Sequence, residues 1–191
     1  MKEIDNRVRI TKIFIRNALF QILKEKPLQA ITVRELCQSA GINRGTFYTH
    51  YRDIYDLMNQ IEEEMTQEFH TKMMPLLSGT THVDLIDMIT EIFSLIQNNA
   101  ELCLITLSPH GDKTFLYRLV AIGKEACMKA YLRMNPACDQ KVMDYFYTFI
   151  STGCIAILEQ WLKEGMQVPV EELAAIVKGF IAGGAPIAPN K

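Results

Sequence analysis

The chain has 191 residues, enough for one large domain or for a small domain joined to a larger one. Hydrophobic residues make up 49% and charged residues 22%, a balance that excludes a disordered or fibrous chain. The net charge of −2 hides two unlike ends: residues 1–52 carry ten Lys or Arg against four acids, a net +6, so the remainder carries −8. A basic module on an acidic body is the electrostatic pattern of a nucleic-acid contact whose other end avoids the polyanion.

Ile15, Ala18, Leu19, Ile22 and Leu23 recur at helical spacing and predict a first helix over roughly residues 8–26, stopped by Pro27. Thr32-Val33-Arg34-Glu35 has the form of a capping box, in which a hydroxyl and a carboxylate satisfy orphan helix amides reciprocally. A second helix of about eight residues starts there and ends at Gly41, which can turn left-handed. Asn43 then caps a third short helix to about His50, with Phe47 and Tyr51 spaced i, i+4 to face the first two. Ile54, Leu57, Met58, Ile61, Met65 and Phe69 mark a longer fourth helix, which Pro75 and the Ser78–Thr81 link are expected to end. Further helices follow at about 83–98, 102–107, 113–134, 139–163 and 170–181, with a frayed tail from Gly183. The reading is all-α, with a helix-turn-helix domain at 1–53 and a helical effector-binding and dimerisation domain at 54–191.

Two short helices joined by a glycine-containing turn and preceded by a supporting helix describe a helix-turn-helix, whose second member enters the major groove of DNA. Arg44 can donate two bonds to guanine, and Thr46 and Thr49 can touch a thymine methyl or bond a base edge. Gly45 costs about 1 kcal/mol of helix propensity relative to Ala, which close backbone approach to DNA would explain. Tyr48 and His50 can reach phosphates. The candidate DNA-contacting set is Thr32, Asn43, Arg44, Gly45, Thr46, Tyr48, Thr49, His50 and Arg52.

The rest of the chain supports no competing chemistry. Met1–Arg16 is charged throughout and lacks an apolar stretch with a cleavage site, which predicts a cytoplasmic protein. The longest uncharged run, Tyr145–Leu158, is shorter than a membrane span and is closed by Asp144 and Glu159, so no membrane partner is expected. Five cysteines without CxxC spacing indicate neither a disulfide framework nor a zinc ribbon, although a redox-sensing thiol stays open. His70, His82 and His110 lack neighbours at ligand spacing, and no metal or cofactor is expected. Ser108, His110 and Cys103 are conceivable catalytic groups, but Ser108-Pro109-His110-Gly111 has the composition of a turn and no catalytic or nucleotide-binding motif accompanies it. A DNA-free interaction bundle is the other alternative, and the +6 end argues against it. Ten methionines could line an adaptable pocket or simply fill the core.

The run Thr32–Leu36, then Ala40-Gly41-Ile42, Gly45–Tyr51 and Asp56-Leu57 resembles the DNA-binding domain of TetR-type (tetracycline-repressor-like) regulators over about the first 60 residues. The resemblance implies a homodimer that binds a pseudo-palindromic DNA operator, represses by default, and is released by a small-molecule effector held in its C-terminal domain. It also implies that Thr46, Tyr48 and the residues around Arg44 face DNA while Phe47 packs inside. One departure is Ile54, where the family often has a phosphate-contacting lysine; Arg52 is the candidate to compensate. Phe149–Gly153 with Trp161-Leu162 and Glu164-Gly165-Met166 looks like a TetR subgroup that includes regulators of dihydroxyacetone kinase operons. The uncharged face around Phe149 and Trp161 is expected to form the dimer contact.

Overall fold

The computed structural model describes residues 2–77, 85–134 and 139–183. His82, Cys138, the Ser78–Thr81 link, Asn135-Pro136 and the tail beyond Gly183 lie outside them, as does the side chain of Cys127. The described residues are all helical, without a strand: α1 (Lys2–Leu23), a 3-10 turn (Leu28–Ala30), α2 (Val33–Ser39), α3 (Arg44–Tyr48), α4 (Ile54–Leu77), α5 (Leu85–Asn98), α6 (Ala100–Leu107), α7 (Thr114–Met134), α8 (Gln140–Lys163) and α9 (Val170–Gly183).

Contacts divide the chain into two compact units, Met1–Met65 with Glu101–Lys113, and Thr66–Ala100 with Thr114–Lys191. This division departs from the boundary expected at residue 53, because the early turns of α4 and α6 from Glu101 onward belong with the first unit. Ile54, Leu57, Ile61 and Met65 of α4 are buried there, and so are Leu102, Cys103, Ile105 and Leu107 of α6. An ion pair of 2.9 Å between Lys24 and Glu101 ties the end of α1 to the start of α6. Around these elements Ile15 and Leu19 of α1, Leu36 of α2 and Phe47 of α3 are fully buried, forming the apolar centre that a three-helix recognition module needs to hold its short helices in place.

In the second unit α5 packs on α9, and α7 on α8. Trp161 anchors this unit. Its ring meets Phe93 edge to face at 5.8 Å, and its indole N–H donates to the Val168 carbonyl at 2.8 Å, so the polar end of a buried aromatic is satisfied. Trp161 is therefore core, 2% exposed, and not on the outward face where the sequence placed it. Lys72 joins α4 to α5 by reaching Glu68 and Glu91, each at 3.3 Å.

Pro75 does not stop α4, which runs on to Leu77. Pro75 lacks the amide that would donate to the Thr71 carbonyl, and the helix carries on for only two residues beyond it. Gly111 is demanded by space: a Cβ there would collide with the carbonyl oxygens of Ile105 and Thr106. Beside it Ser108 Oγ accepts the backbone N–H of His110 at 3.3 Å, a turn-closing bond rather than a nucleophile–base pair.

Candidate nucleic-acid interface

Three local devices build the recognition segment. Thr32, in extended backbone, caps α2 by accepting the Glu35 N–H at 3.2 Å. The reciprocal half of the expected capping box is absent, because the Glu35 carboxylate takes Lys26 instead, at 2.6 Å. A charged partner at that distance outcompetes a neutral amide, and the pair fastens the end of α1 to α2. At the other end of α2, Ile42 N–H donates to Cys37 O at 3.0 Å and Gly41 N–H to Gln38 O at 3.3 Å. Gly41 supplies the left-handed residue, φ +66°, that this closure requires.

Asn43 then opens α3. Its Oδ1 accepts the Thr46 N–H at 2.7 Å and the Thr46 hydroxyl at 3.0 Å. A five-residue helix has almost no internal ladder, so this cap and the fully buried Phe47 are what hold it. Gly45 acquires a local cause as well: a Cβ there would sit 3.2 Å from the capping oxygen. Phe47 contacts the rings of Tyr48 at 5.5 Å and Tyr51 at 5.6 Å, and His50 lies 6.2 Å from Tyr51.

With Phe47 turned inward, α3 presents Arg44, Gly45, Tyr48 and the following Thr49 to solvent. Tyr48 is 57% exposed. The hydroxyl protons of Thr46 and Thr49 are both committed, to Asn43 Oδ1 and to the Thr46 carbonyl at 2.7 Å, so what remains for a partner is their methyl groups and acceptor lone pairs. Thr32 and Arg52 are exposed, and His50 is half-buried.

The start of α4 carries a second reciprocal cap. Asp53 Oδ1 accepts the Asp56 N–H, and Asp56 Oδ2 accepts the Arg52 N–H, both at 2.8 Å. That backbone bond holds the Asp56 carboxyl below its usual range. Ile54 is 4% exposed: the position of the family's lysine is spent on packing. Arg52 has its backbone fixed by that bond and its side chain exposed, with its charge also favouring the Asp56 carboxylate. The Tyr51 phenol is pushed up to about 12, by burial first and by Glu64 and Asp56 next, with Arg16 opposing, so it stays neutral against the core. Burial also raises the thiols of Cys37, Cys103 and Cys154, that of Cys103 to about 12, while Arg44 opposes the shift at Cys37. These three are protonated packing groups at neutral pH.

The sequence singled out neither the Lys26–Glu35 pair nor Lys12, whose ammonium lies 5.8 Å from the centre of the Tyr51 ring. The available signal was the cation spacing along α1. Among the described residues no helix is long and apolar enough to cross a membrane, and no three His, Cys, Asp or Glu side chains converge to hold a metal.

Comparison with known proteins bears on the same two regions. Residues 15–61 match the family described as bacterial regulatory proteins of the tetR family, and residues 84–183 match a transcriptional regulator C-terminal region of TetR type. An uncharacterised helix-turn-helix regulator of Bacillus subtilis is 30% identical over 53 residues, 28% of this chain and 14% of its own length. The class E tetracycline repressor of Escherichia coli is 36% identical over 55 residues, 29% of this chain and 26% of its own length. The similarity thus spans about a quarter of one of these relatives and less of the other.

Among solved structures, a TetR regulator of Streptococcus agalactiae superposes with a TM-score of 0.58 at 24% identity, covering 93% of this chain and 96% of the other. The Bacillus subtilis regulator FadR, solved with stearoyl-CoA, gives 0.68 at 14% identity, covering 91% and 99%. The dihydroxyacetone kinase operon activator DhaS gives 0.55 at 16%, covering 91% and 94%. At these identities the likeness is one of fold. The C-terminal model alone matches more than half of the chain, and the chain belongs to the TetR family of transcriptional regulators rather than to any family of enzymes.

Proposed function

We propose that the protein is a cytoplasmic, homodimeric repressor that binds an inverted-repeat operator through α3 and leaves it when a small-molecule effector occupies the second unit. The observation that carries the DNA-binding half is the orientation of α3: Asn43 caps it and Phe47 anchors it, so that Arg44 and Tyr48 face outward together. In this reading Arg44 bonds a guanine edge, Thr46 and Thr49 offer methyl groups and acceptors to base edges, and Tyr48, His50, Thr32 and Arg52 steady the sugar-phosphate backbone. Asn43 and Gly45 act by shaping the helix that carries them.

Dimerisation is supported by apolar surface that the second unit does not use. Along α8, Val142, Tyr145 and Phe149 are exposed, the last two at 68% and 71%, and on α9 so are Ile176 and Phe180. Small residues accompany them: a Cβ added at Gly153 or Gly179 would meet nothing within 4 Å. Exposed aromatics beside small residues suit close packing of helices against a second copy. The effector reading draws on FadR, a fold neighbour solved with an acyl-CoA, and on the apolar interior of the second unit.

Selection of bound duplexes from a random pool tests the whole reading. An inverted repeat with half-sites roughly 34 to 36 Å apart, or a near multiple, is expected, with sedimentation showing a dimer at micromolar concentration. Recovery of single half-sites, or a monomer throughout, would overturn it. Release from that duplex by one member of a panel of fatty acyl-CoAs and small metabolites is the expected sign of the effector.

A further inference from the structure

Between Asn6 and Arg16, α1 carries Arg7, Arg9, Lys12 and Arg16 and no acid. Arg9, Lys12 and Arg16 are spaced i, i+3, i+7 and share one side of the helix. Contacts fix where that side lies. Arg16 reaches Glu64 of α4 at 3.8 Å and lies over the Phe20 ring at 5.2 Å, and Lys12 lies over the ring of Tyr51. Tyr51 in turn packs on Phe47 and His50, at the end of the recognition segment. The stripe therefore passes beside the reading helix and continues toward the start of α1. Arg9, one turn beyond Lys12, is exposed, and among the described side chains it donates to Asn6 Oδ1, at 3.4 Å, a neutral partner.

Burial gives a second, independent sign. Among the described side chains of α1 the first buried one is Ile15, and residues 6–10 are all exposed. These turns are not needed for the core of the unit. They also precede residue 15, where the match to the family's DNA-binding model begins.

We propose that Arg9 and Lys12 bind backbone phosphates flanking the bases that α3 reads, and so widen the DNA footprint of each protomer beyond the helix-turn-helix. The inference rests on α3 being the reading helix. Duplex DNA is favoured over an acidic protein because the stripe adjoins the proposed reading surface through Tyr51, and because guanidinium and ammonium groups a helical turn apart suit a row of phosphates. Arg9 would grip one phosphate with its planar fork, and Lys12 would act as a point charge on the next.

The test uses the full-length protein and two duplexes that share one operator, the first ending at its edges and the second extended by about one helical turn on each side. Binding is measured across a salt series for the parent, Arg9→Ala/Lys12→Ala and Arg9→Lys/Lys12→Arg, with thermal melting as a check on folding. On the extended duplex the alanine variant should lose about 0.9 in the slope of log K against log salt for each phosphate contact removed, up to about 3 to 4 per dimer. On the short duplex it should match the parent, and the charge-conserving variant should match it on both. Equal slopes on the extended duplex, or equal losses on the two duplexes, would overturn the proposal. If the parent shows no operator preference, or Arg44→Ala keeps it intact, the placement of α3 has failed instead. An alanine variant that binds both duplexes like the parent yet no longer binds polyglutamate, where the parent does, would assign the stripe to an acidic protein.

Discussion

Helix α3 and helix α8 both turn toward solvent a face that their own unit does not bury, but the two faces differ in kind. On α3 the face carries Arg44 and Tyr48, with Thr49 at its C-cap, and the helix is five residues long. On α8 it carries Val142, Tyr145 and Phe149, and the helix is 24 residues long. The short helix owes its conformation to a cap and one buried ring, so almost every other side chain is free to be polar. The long one has length enough to bury Met143, Ile155, Leu158 and Trp161 on one side and still display an apolar stripe on the other. A hydrated, charged surface suits a polyanion that exchanges counterions, whereas an apolar one is stable only when another apolar surface covers it.

That contrast breaks most readily at its base. Phe47→Ala removes the anchor of α3 and should cost about 3 to 5 kcal/mol, seen as loss of the first unit's unfolding transition while the second unit still melts. Phe149→Asp places a charge in the proposed dimer contact and should weaken association by about 2 to 4 kcal/mol, read by sedimentation as dissociation with unchanged helix content. A fully dimeric variant would show that α8 is not the contact.

Arg44→Ala sharpens the other side of the comparison. It should leave folding intact, cost about 1 to 3 kcal/mol in operator affinity and relax preference at one base pair per half-site. Tyr48→Phe should instead weaken all sequences more evenly, because a phosphate contact carries no base information. The smallest effect is expected at the cap: Asn43→Ala should lower the stability of the first unit by about 1 kcal/mol, whereas Asn43→Asp, which keeps the accepting oxygen, should not.

The recognition unit was legible because its signals are short-range. Thr32, Gly41 and Asn43 each act within three or four residues of themselves, and the i, i+4 pair Phe47 and Tyr51 states its own inward face. Glu35 was misread for the complementary reason: its partner Lys26 lies beyond Pro27 and a 3-10 turn, and sequence spacing says nothing about which cation folds back. Trp161 shows the same limit on α8. A large aromatic in an apolar run can face core or solvent equally well on periodicity, and it is Phe93 and the Val168 carbonyl, brought in by tertiary packing, that decide. Pro75 was given a stop signal's weight, although α4 carries it within its last turn and runs two residues further.

The discontinuous make-up of the first unit, Met1–Met65 with Glu101–Lys113, bears on how this regulator could be rewired. A graft that takes only the N-terminal stretch onto another protein would leave behind Leu102, Cys103, Ile105 and Leu107 and the Glu101 mate of Lys24, exposing apolar surface that the intact head keeps dry. On the proposed reading of DNA by α3, exchange of operator specificity between relatives is least disruptive through the few outward residues of that helix, with the head kept whole. In a lineage that diversifies its targets, point substitution on that helix is then the easy path and recombination near residue 65 the costly one.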